Sequence, residues 1–277
     1  MLMTVREAIA DAARRLRDVS GTPRLDAELL MAHALGDSRD MVLLRRLDDP
    51  VPAGFETLVA RRLKSEPVAY ITGTRAFWTL ELAVTPAVLI PRPDSETLIE
   101  AAIAQLGASP APRLLDLGTG SGALLLAALD HWPDAWGVGV DRSVAAAHVA
   151  NGNARRLGMD DRAAFVIGDW DAPISGRFDG IFCNPPYIGE AEALPRDVAG
   201  YEPASALFAG PDGLDDYRRI IPRLPLLLSE GGRAFVETGA DQARAVCALG
   251  QRYGLHAFVR RDLAGRERCV ILSGQAL

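Results

Sequence analysis

The sequence predicts an α/β fold in which helices cover both faces of a mostly parallel sheet, preceded by a small helical domain and a linking hairpin. Two observations carry this prediction. Beyond Pro93, short apolar runs alternate with helix-like segments, and one run leads into the glycine-rich loop Gly118–Gly122. This alternation is typical of parallel sheets that bind ligands at the carboxyl ends of their strands.

The first part of the chain has a helical pattern. Apolar side chains recur three or four positions apart in residues 4–18, 22–35, 38–47 and 53–65, and turn-forming residues separate these segments. Each such segment can bury one face by packing against the others. We therefore predict a helical bundle over residues 1–67.

The next segment, residues 68–92, has the character of strands. Val68–Ile71 and Leu80–Val84 are apolar, and Gly73 and an aromatic pair lie between them. This pattern predicts a linking β-hairpin. The remainder, residues 93–277, is expected to form the domain that contains the parallel sheet.

A glycine-rich loop follows the apolar run Arg113–Leu117 and precedes a helix-like stretch. Glycine permits a tight turn and a close approach of the backbone to a ligand, and a helix N-terminus favours anionic groups. Asp141 ends the next apolar run and suits the hydroxyls of a ribose. An adenosine-containing cofactor is predicted, without a choice between nicotinamide and other types. The candidate cofactor-binding residues of the loop are Gly118, Thr119, Gly120, Ser121 and Gly122.

An acidic and an aromatic residue follow a third strand-like run. Phe165–Gly168 leads into Asp169 and Trp170, which could bracket an adenine ring. Trp170 is therefore a candidate for binding the cofactor. A turn at a strand end with a half-buried tryptophan explains the pair equally well.

The run Phe178–Cys183 ends in Asn184-Pro185-Pro186-Tyr187. Each proline fixes φ, lacks an N–H and restricts the preceding residue, so Asn184 and the Pro185 carbonyl are held in one presentation. Together they offer acceptors for both hydrogens of a substrate NH2 group, and Tyr187 offers a flat face. We predict catalytic roles for Asn184, Pro185 and Tyr187, and a substrate contact for Pro186. The alternative is a simple turn that leaves the strand.

Composition narrows the class of protein. The 277-residue chain has a formal net charge of −6, which argues against an extended duplex-binding surface. No apolar run reaches membrane-spanning length, and the start turns polar too early for a secretory signal. The cysteines and histidines lack paired spacing, so no metal is expected. We expect a cytoplasmic enzyme with a protein partner, without direct nucleic acid or membrane contact, and monomeric because sustained heptads are absent.

These motifs together resemble S-adenosylmethionine-dependent methyltransferases that act on amide or exocyclic amino nitrogens. The matching motifs are Asp116–Gly122, Asp141, Asp169-Trp170 and Asn184–Tyr187. Within that group the chain is most similar to the HemK/PrmC family of release factor glutamine methyltransferases. Further segments that match this family are Thr85–Glu96, Tyr201–Pro203, Gly210–Leu214 and Asp262–Arg268. Sister enzymes that methylate a glutamine of a ribosomal protein differ at Ile90–Pro93.

The resemblance implies a Rossmann-like, seven-stranded methyltransferase domain with a C-terminal antiparallel hairpin, and S-adenosylmethionine as cofactor. It also implies methyl transfer to the side-chain amide nitrogen, N5, of the glutamine in the Gly-Gly-Gln motif of peptide chain release factors. Asn184 would contact the cofactor too, and the helical domain would recognise the partner. Phe77 and Arg92 are candidates for the glutamine pocket, although a structural hairpin would explain them and Trp78 equally well.

Four other functions stay open. A glutamine methyltransferase of a ribosomal protein would use the same chemistry. An N6-adenine or other amino methyltransferase of nucleic acids would need a basic groove. A dehydrogenase would leave Asn184–Tyr187 unexplained. A noncatalytic scaffold that binds S-adenosylmethionine would differ only in lacking turnover.

Overall fold

The structure is a computed structural model that describes residues 3–107 and 111–274. Its contacts divide the chain into two compact units. The first comprises Met1–Thr74 and Leu194–Tyr201, and the second comprises Arg75–Ala193 and Glu202–Leu277. No sequence pattern indicates that Leu194–Tyr201 packs with the first unit.

Helices dominate the first unit, and strands alternate with helices in the second. The helices are α1 Val5–Arg15, α2 Pro23–Leu35, α3 Arg39–Arg45, α4 Phe55–Leu63, α5 Val68–Thr72, α6 Glu96–Leu106, α7 Ala123–His131, α8 Val144–Arg156, α9 Arg196–Tyr201, α10 Asp215–Ile220, α11 Leu224–Leu227 and α12 Ala243–Arg252. The strands are β1 Thr74–Phe77, β2 Leu80–Ala83, β3 Arg113–Leu117, β4 Trp136–Asp141, β5 Ala163–Ile167, β6 Phe178–Cys183, β7 Leu228–Glu237, β8 His256–Arg261 and β9 Glu267–Ser273. None of these helices is both long and apolar enough to cross a bilayer.

A buried ion pair ties the helices of the first unit together. Arg62 Nε in α4 donates to Asp26 Oδ2 in α2 at 2.7 Å, and the two side chains are only 5% and 9% exposed. The same guanidinium lies 3.7 Å from Asp197 Oδ2 in α9. In addition, the Tyr201 hydroxyl donates to the Lys64 carbonyl at 3.0 Å. These contacts explain why α9 belongs to the first unit although it follows β6 in the chain.

The predicted hairpin is present, but one of its predicted strands is wrong. Val68–Thr72 forms α5, which ends at Gly73 with a left-handed φ of 78° and a hydrogen bond from Gly73 N to Ala69 O at 2.8 Å. Ile71 packs into the core of the first unit. This tertiary packing overrides the strand preference of the β-branched residues. The hairpin is formed by β1 and β2 instead.

The second unit is built on a seven-stranded sheet with the order β5-β4-β3-β6-β7-β9-β8. Strands β3 to β7 pair in parallel, and β9 pairs antiparallel with both β7 and β8. Separate apolar clusters cover the two faces of the sheet. The predicted α/β fold, a mostly parallel sheet with a C-terminal antiparallel hairpin, is confirmed.

The sheet order places a cleft between β3 and β6. The chain runs outward from β3 through β4 to β5, then returns to add β6 on the other side of β3. In parallel sheets, ligands bind at this switch in direction, beyond the carboxyl ends of the strands. Leu117 pairs with Cys183. The residues that follow them, Gly118 and Asn184, therefore leave the sheet side by side.

We expect Arg62→Met to destabilise the first unit, because it leaves the Asp26 carboxylate buried without its partner. Loss of one member of a buried ion pair costs about 3 kcal/mol. Amide hydrogen exchange in α2 and α4 would measure the loss. Arg14→Met is the matched control, since its ion pair with Asp11 is exposed (62% and 36%) and should change stability by less than about 0.5 kcal/mol. Equal effects of the two variants would contradict a supporting role for the buried pair.

Candidate active site

The glycine loop turns sharply between β3 and α7. Gly118, Gly120 and Gly122 have φ values of 76°, 55° and 82°, in the left-handed region that favours glycine. A Cβ on Gly118 would lie 3.1 Å from the Trp170 ring. Gly122 instead faces away toward Leu126 of α7, where a Cβ would lie at 3.1 Å. The loop thus brings the start of α7 to the cleft, while the backbone N–H groups of Gly118, Thr119 and Gly122 donate to the Val140 and Thr119 carbonyls.

A buried acid below the loop holds it in place. The Thr119 hydroxyl donates to Asp116 Oδ2 at 2.6 Å, and Asp116 is 1% exposed within β3. Burial raises the pKa of the Asp116 carboxyl to about 7, against the hydrogen bond from Thr119. Asp116 was part of the recognised motif but was not among the predicted site residues. Its position in the middle of an apolar strand is the signal that could have found it.

Asp141 links the glycine loop to the next helix. Its Oδ2 accepts a hydrogen bond from Gly120 N at 2.9 Å, and its Oδ1 accepts one from Ser143 N at 2.8 Å. Each carboxylate oxygen keeps a further lone pair. The carboxylate is therefore oriented at the end of β4 and can still accept a hydroxyl hydrogen from a ligand.

Trp170 is held in an unusual backbone conformation beyond β5. Its φ is 51°, a conformation that costs free energy for a residue other than glycine and often marks a functional site. The side chain packs on Gly118, where an added Cβ would lie 3.1 Å from the ring. The indole is thereby fixed as one wall of the cleft.

The Asn184 side chain is anchored from one end. Asn184 Nδ2 donates to Ser95 Oγ at 3.2 Å. This bond uses the amide nitrogen and leaves Asn184 Oδ1 as the acceptor available to the cleft. Pro185 is buried beside it. Further along, the Tyr187 hydroxyl donates to Glu237 Oε1 at 3.4 Å, and burial raises the pKa of that hydroxyl.

A cavity of about 300 Å³ lies between these elements, a size typical of small-molecule sites. The predicted residues that line it are Phe77, Gly118, Thr119, Gly120, Ser121, Asp141, Trp170, Asn184 and Pro186. The predicted residues outside its lining are Gly122, Pro185, Tyr187 and Arg92. Lining residues that sequence reasoning missed include Val88, Leu89, Ser95, Pro203 and Ala206. Val88, Leu89 and Ser95 lie in Thr85–Glu96, and Pro203 ends Tyr201–Pro203. Both segments belong to the resemblance described above, which is the signal that could have found these residues.

Arg92 forms an ion pair that braces two loops. Its guanidinium bonds the carboxylate of Glu202, whose side chain is 1% exposed. Glu202 Oε2 also accepts a hydrogen bond from Ile90 N at 3.2 Å. Phe77 is likewise buried, at 1% exposure, yet it reaches the cavity. Both residues thus have a structural part in the second unit.

Comparison with known proteins identifies the family. Residues 7–73 match the PrmC N-terminal domain, and residues 95–198 match the methyltransferase small domain. A release factor glutamine methyltransferase of Rhodospirillum rubrum is 46% identical over 260 residues, which cover 92% of this chain and 80% of that protein. The chain belongs to the release factor glutamine methyltransferase family.

Other relatives agree with this membership. A release factor glutamine methyltransferase of Moorella thermoacetica is 41% identical over 279 residues, covering 97% of this chain and 98% of that protein. A solved methyltransferase of Pyrococcus furiosus is 16% identical, with a TM-score of 0.54 over 78% of this chain and 98% of that one, which shows the fold alone. The prediction of a methyltransferase that uses S-adenosylmethionine is confirmed by membership of the family.

The residues present fit this cofactor. The glycine cradle would be filled by a Cβ at Gly118, and Asp141 presents oriented carboxylate oxygens to the cavity. Trp170 adds a flat apolar wall. The described residues contain no group of three or more His, Cys, Asp or Glu side chains arranged to hold a metal ion.

We expect Gly118→Ala to weaken binding of S-adenosylmethionine at least tenfold. The new Cβ would meet the Trp170 ring at 3.1 Å with φ at 76°, so the loop or the indole must move. A strained left-handed alanine costs about 1–2 kcal/mol. Isothermal calorimetry would measure the dissociation constant.

Gly152→Ala is the matched control for this test. Gly152 lies within α8, has an ordinary φ, and a Cβ there would meet nothing within 4 Å. Its affinity for S-adenosylmethionine should equal that of the unmodified protein. An unchanged affinity in Gly118→Ala would exclude the glycine loop from the cofactor site.

Proposed function

We propose that this chain transfers the methyl group of S-adenosylmethionine to the side-chain amide nitrogen, N5, of the glutamine in the Gly-Gly-Gln motif of peptide chain release factors. The observation that carries the proposal is the pairing of Leu117 with Cys183. With this pairing, Asn184 and the oxygen atoms that would accept the substrate N–H hydrogens lie beside the glycine loop, which we assign to binding of the methyl donor. The relatives named as release factor glutamine methyltransferases support the choice of substrate.

Asn184 and Pro185 would position the amide nitrogen. A carboxamide nitrogen is a weak nucleophile because its lone pair is delocalised into the carbonyl. If Asn184 Oδ1 and the Pro185 carbonyl accept its two N–H hydrogens, the face of the nitrogen is aimed at the methyl group and the positive charge that builds there is stabilised. When bound, S-adenosylmethionine supplies an electrophilic methyl on a sulfonium.

A general base is not needed before the transfer. Once the C–N bond forms, the nitrogen is strongly acidic and its proton can pass to solvent as the product leaves the site. Tyr187 would cover the flat amide and exclude water. Its hydroxyl, bonded to the buried Glu237, fixes the ring at one end. Pro186 and Phe77 line the cavity and would limit the space around the glutamine side chain.

We assign the cofactor contacts by their place in the cavity, except for Gly122, which lies outside the lining and is kept because it completes the glycine turn. Gly118, Thr119, Gly120, Ser121 and Gly122 would shape the turn beside the methionine part. Asp141 would accept the ribose hydroxyls and Trp170 would meet the adenine. Arg92 would act through its ion-pair partner Glu202, which precedes the lining residue Pro203, and not by direct contact with the substrate.

The helical domain predicted over residues 1–67 would recognise the release factor. Leu44 and Met41 on α3 are large apolar side chains that are 77% and 37% exposed, as a docking surface requires. We place the enzyme in the cytoplasm as a monomer, with no direct contact to nucleic acid. Its net charge of −6 supports a protein partner over a polyanion.

We expect Asn184→Ala to lower kcat for methyl transfer about a hundredfold, since it removes an acceptor that acts on the developing charge. Affinity for S-adenosylmethionine should stay within about threefold, because Asn184 contributes one wall of the cavity only. Single-turnover kinetics and calorimetry separate the two effects. A rate close to that of the unmodified enzyme would remove Asn184 from the mechanism.

The substrate is tested with labelled S-adenosylmethionine. Label should enter a release factor and not its variant in which the motif glutamine is alanine. Ribosomal protein and adenine-containing oligonucleotides serve as the other acceptors. Label on either of these alone, or persistent label on the alanine variant, would refute the substrate.

Absence of turnover with every acceptor would favour a binding scaffold, and calorimetric binding of a nicotinamide cofactor would favour a dehydrogenase.

A further inference from the structure

Arg75 is a cation beside the cavity whose side chain has donors to spare. It lies on β1 and is half-buried. Its Nε donates to the Pro91 carbonyl at 3.3 Å. With the described residues neither Nη group makes a hydrogen bond or an ion pair, and neither is among the buried atoms that lack a partner. Both Nη groups are therefore accessible and can donate to a ligand.

The strand directs Arg75 toward the cavity. Side chains two residues apart on a strand point to the same side, and Phe77, two residues after Arg75, lines the cavity. Ala76 between them is exposed. Pro91, which accepts the hydrogen bond from Arg75, is also a lining residue. Arg75 itself is outside the lining, so it lies at the margin, where a ligand that protrudes from the cavity would meet it.

The acids of this region are already bonded to other groups. Glu96 Oε1 accepts a hydrogen bond from Trp78 N at 2.9 Å, and Glu202 is paired with Arg92. Burial lowers the pKa of the Arg75 guanidinium, the charge of Arg92 lowers it further, and the charge of Glu96 opposes both. An arginine remains charged at neutral pH all the same. A half-buried charge without a directly bonded counter-ion is costly, and a binding site is where such a cost is tolerated.

We propose that Arg75 binds main-chain carbonyl oxygens of the Gly-Gly segment that precedes the glutamine of the substrate, and thereby sets the affinity for the release factor. The proposal rests on the function proposed above, since it names a further contact with the same substrate. A glycine offers a guanidinium only its carbonyl oxygen, and no side chain covers that oxygen. The planar fork of an arginine can donate to two such oxygens at once.

The side-chain carbonyl of the glutamine is the wrong acceptor for this arginine. A charge-assisted hydrogen bond to that oxygen would draw the nitrogen lone pair further into the carbonyl and weaken the nucleophile. The glutamine side chain must also enter the cavity to reach Asn184, whereas Arg75 lies at the margin. A contact with the main chain is the same before and during methyl transfer. Binding of that kind changes KM and leaves kcat unchanged.

We expect Arg75→Met to weaken binding of the release factor about thirtyfold, the worth of one or two hydrogen bonds from a charged donor. KM for the release factor should rise by the same factor. The value of kcat and the affinity for S-adenosylmethionine should stay within about twofold of those of the unmodified enzyme. Arg75→Lys keeps the charge but loses the planar fork, so its binding should weaken only about fivefold.

Binding is measured by calorimetry between a release factor and enzyme saturated with S-adenosylhomocysteine, so that this readout does not depend on turnover. Steady-state kinetics then gives KM and kcat separately. Arg113→Met is the matched control. It removes an arginine of the same unit at the start of β3, at the opposite end of the strand from the cavity, where the side chain is 57% exposed. Its binding and its kinetics should equal those of the unmodified enzyme.

A role confined to the fold would give another pattern. If Arg75 served only to hold the Pro91 carbonyl, Arg75→Met would disturb the cavity wall that Pro91 forms. Affinity for S-adenosylmethionine and kcat would then fall together. If Arg75→Met fails to fold, Arg75→Lys still decides, because it should weaken binding of the release factor without a change in kcat.

Unchanged binding of the release factor in both Arg75 variants would overturn the proposal and leave the function intact. A loss of kcat as large as the rise in KM would also overturn it. An unmodified enzyme that neither binds nor methylates a release factor would instead refute the proposed function. The two failures are therefore distinguishable.

Discussion

The pairing of β3 with β6 is the constraint on which the site depends. Leu117 lies opposite Cys183, and the two side chains are 1% and 0% exposed. A slip of one residue would turn the buried side chains of either strand to the other face of the sheet. The apolar layers therefore hold the register, and the register places Gly118 beside Asn184. A Cβ on Gly118 would lie 4.0 Å from the Asn184 carbonyl oxygen.

Two buried acids support the two halves of this site. Asp116 on β3 holds Thr119 of the glycine loop, and Glu237 on β7 accepts from Tyr187. Burial raises the pKa of each carboxyl to about 7. A carboxylate without enough hydrogen bonds is costly in an apolar sheet. Among the described residues, Glu237 Oε2 is a buried atom without a hydrogen-bond partner, which is the kind of cost that a functional site tolerates.

Local patterns in the sequence were sufficient to predict most of the helices and strands and the positions of the two main motifs. Apolar periodicity predicted the helices of the first unit and the alternating elements of the second, because each pattern reports which face an element buries. The motifs at Gly118–Gly122 and Asn184–Tyr187 were placed at strand ends correctly. The pattern failed for one short element. Val68–Ile71 was predicted as a strand, but Val68–Thr72 forms helix α5, because its packing in the first unit outweighs its strand propensity.

Contacts between distant parts of the chain could not be predicted. Ser95 and Asn184 are separated by 89 residues, and Arg92 and Glu202 by 110. Each pair forms only because the sheet order brings separate loops to one edge, and no local spacing encodes it. The left-handed φ of Trp170 and the packing of α9 with the first unit are of the same kind. They are consequences of tertiary structure.

A crystal structure of this protein with S-adenosylhomocysteine and a Gly-Gly-Gln peptide would test the central claim most directly. The account predicts that the glutamine amide nitrogen lies within about 3.2 Å of both Asn184 Oδ1 and the Pro185 carbonyl oxygen. The nitrogen should also face the sulfur of the cofactor. A glutamine bound elsewhere, or an Asn184 carboxamide whose nitrogen faces the peptide, would contradict it.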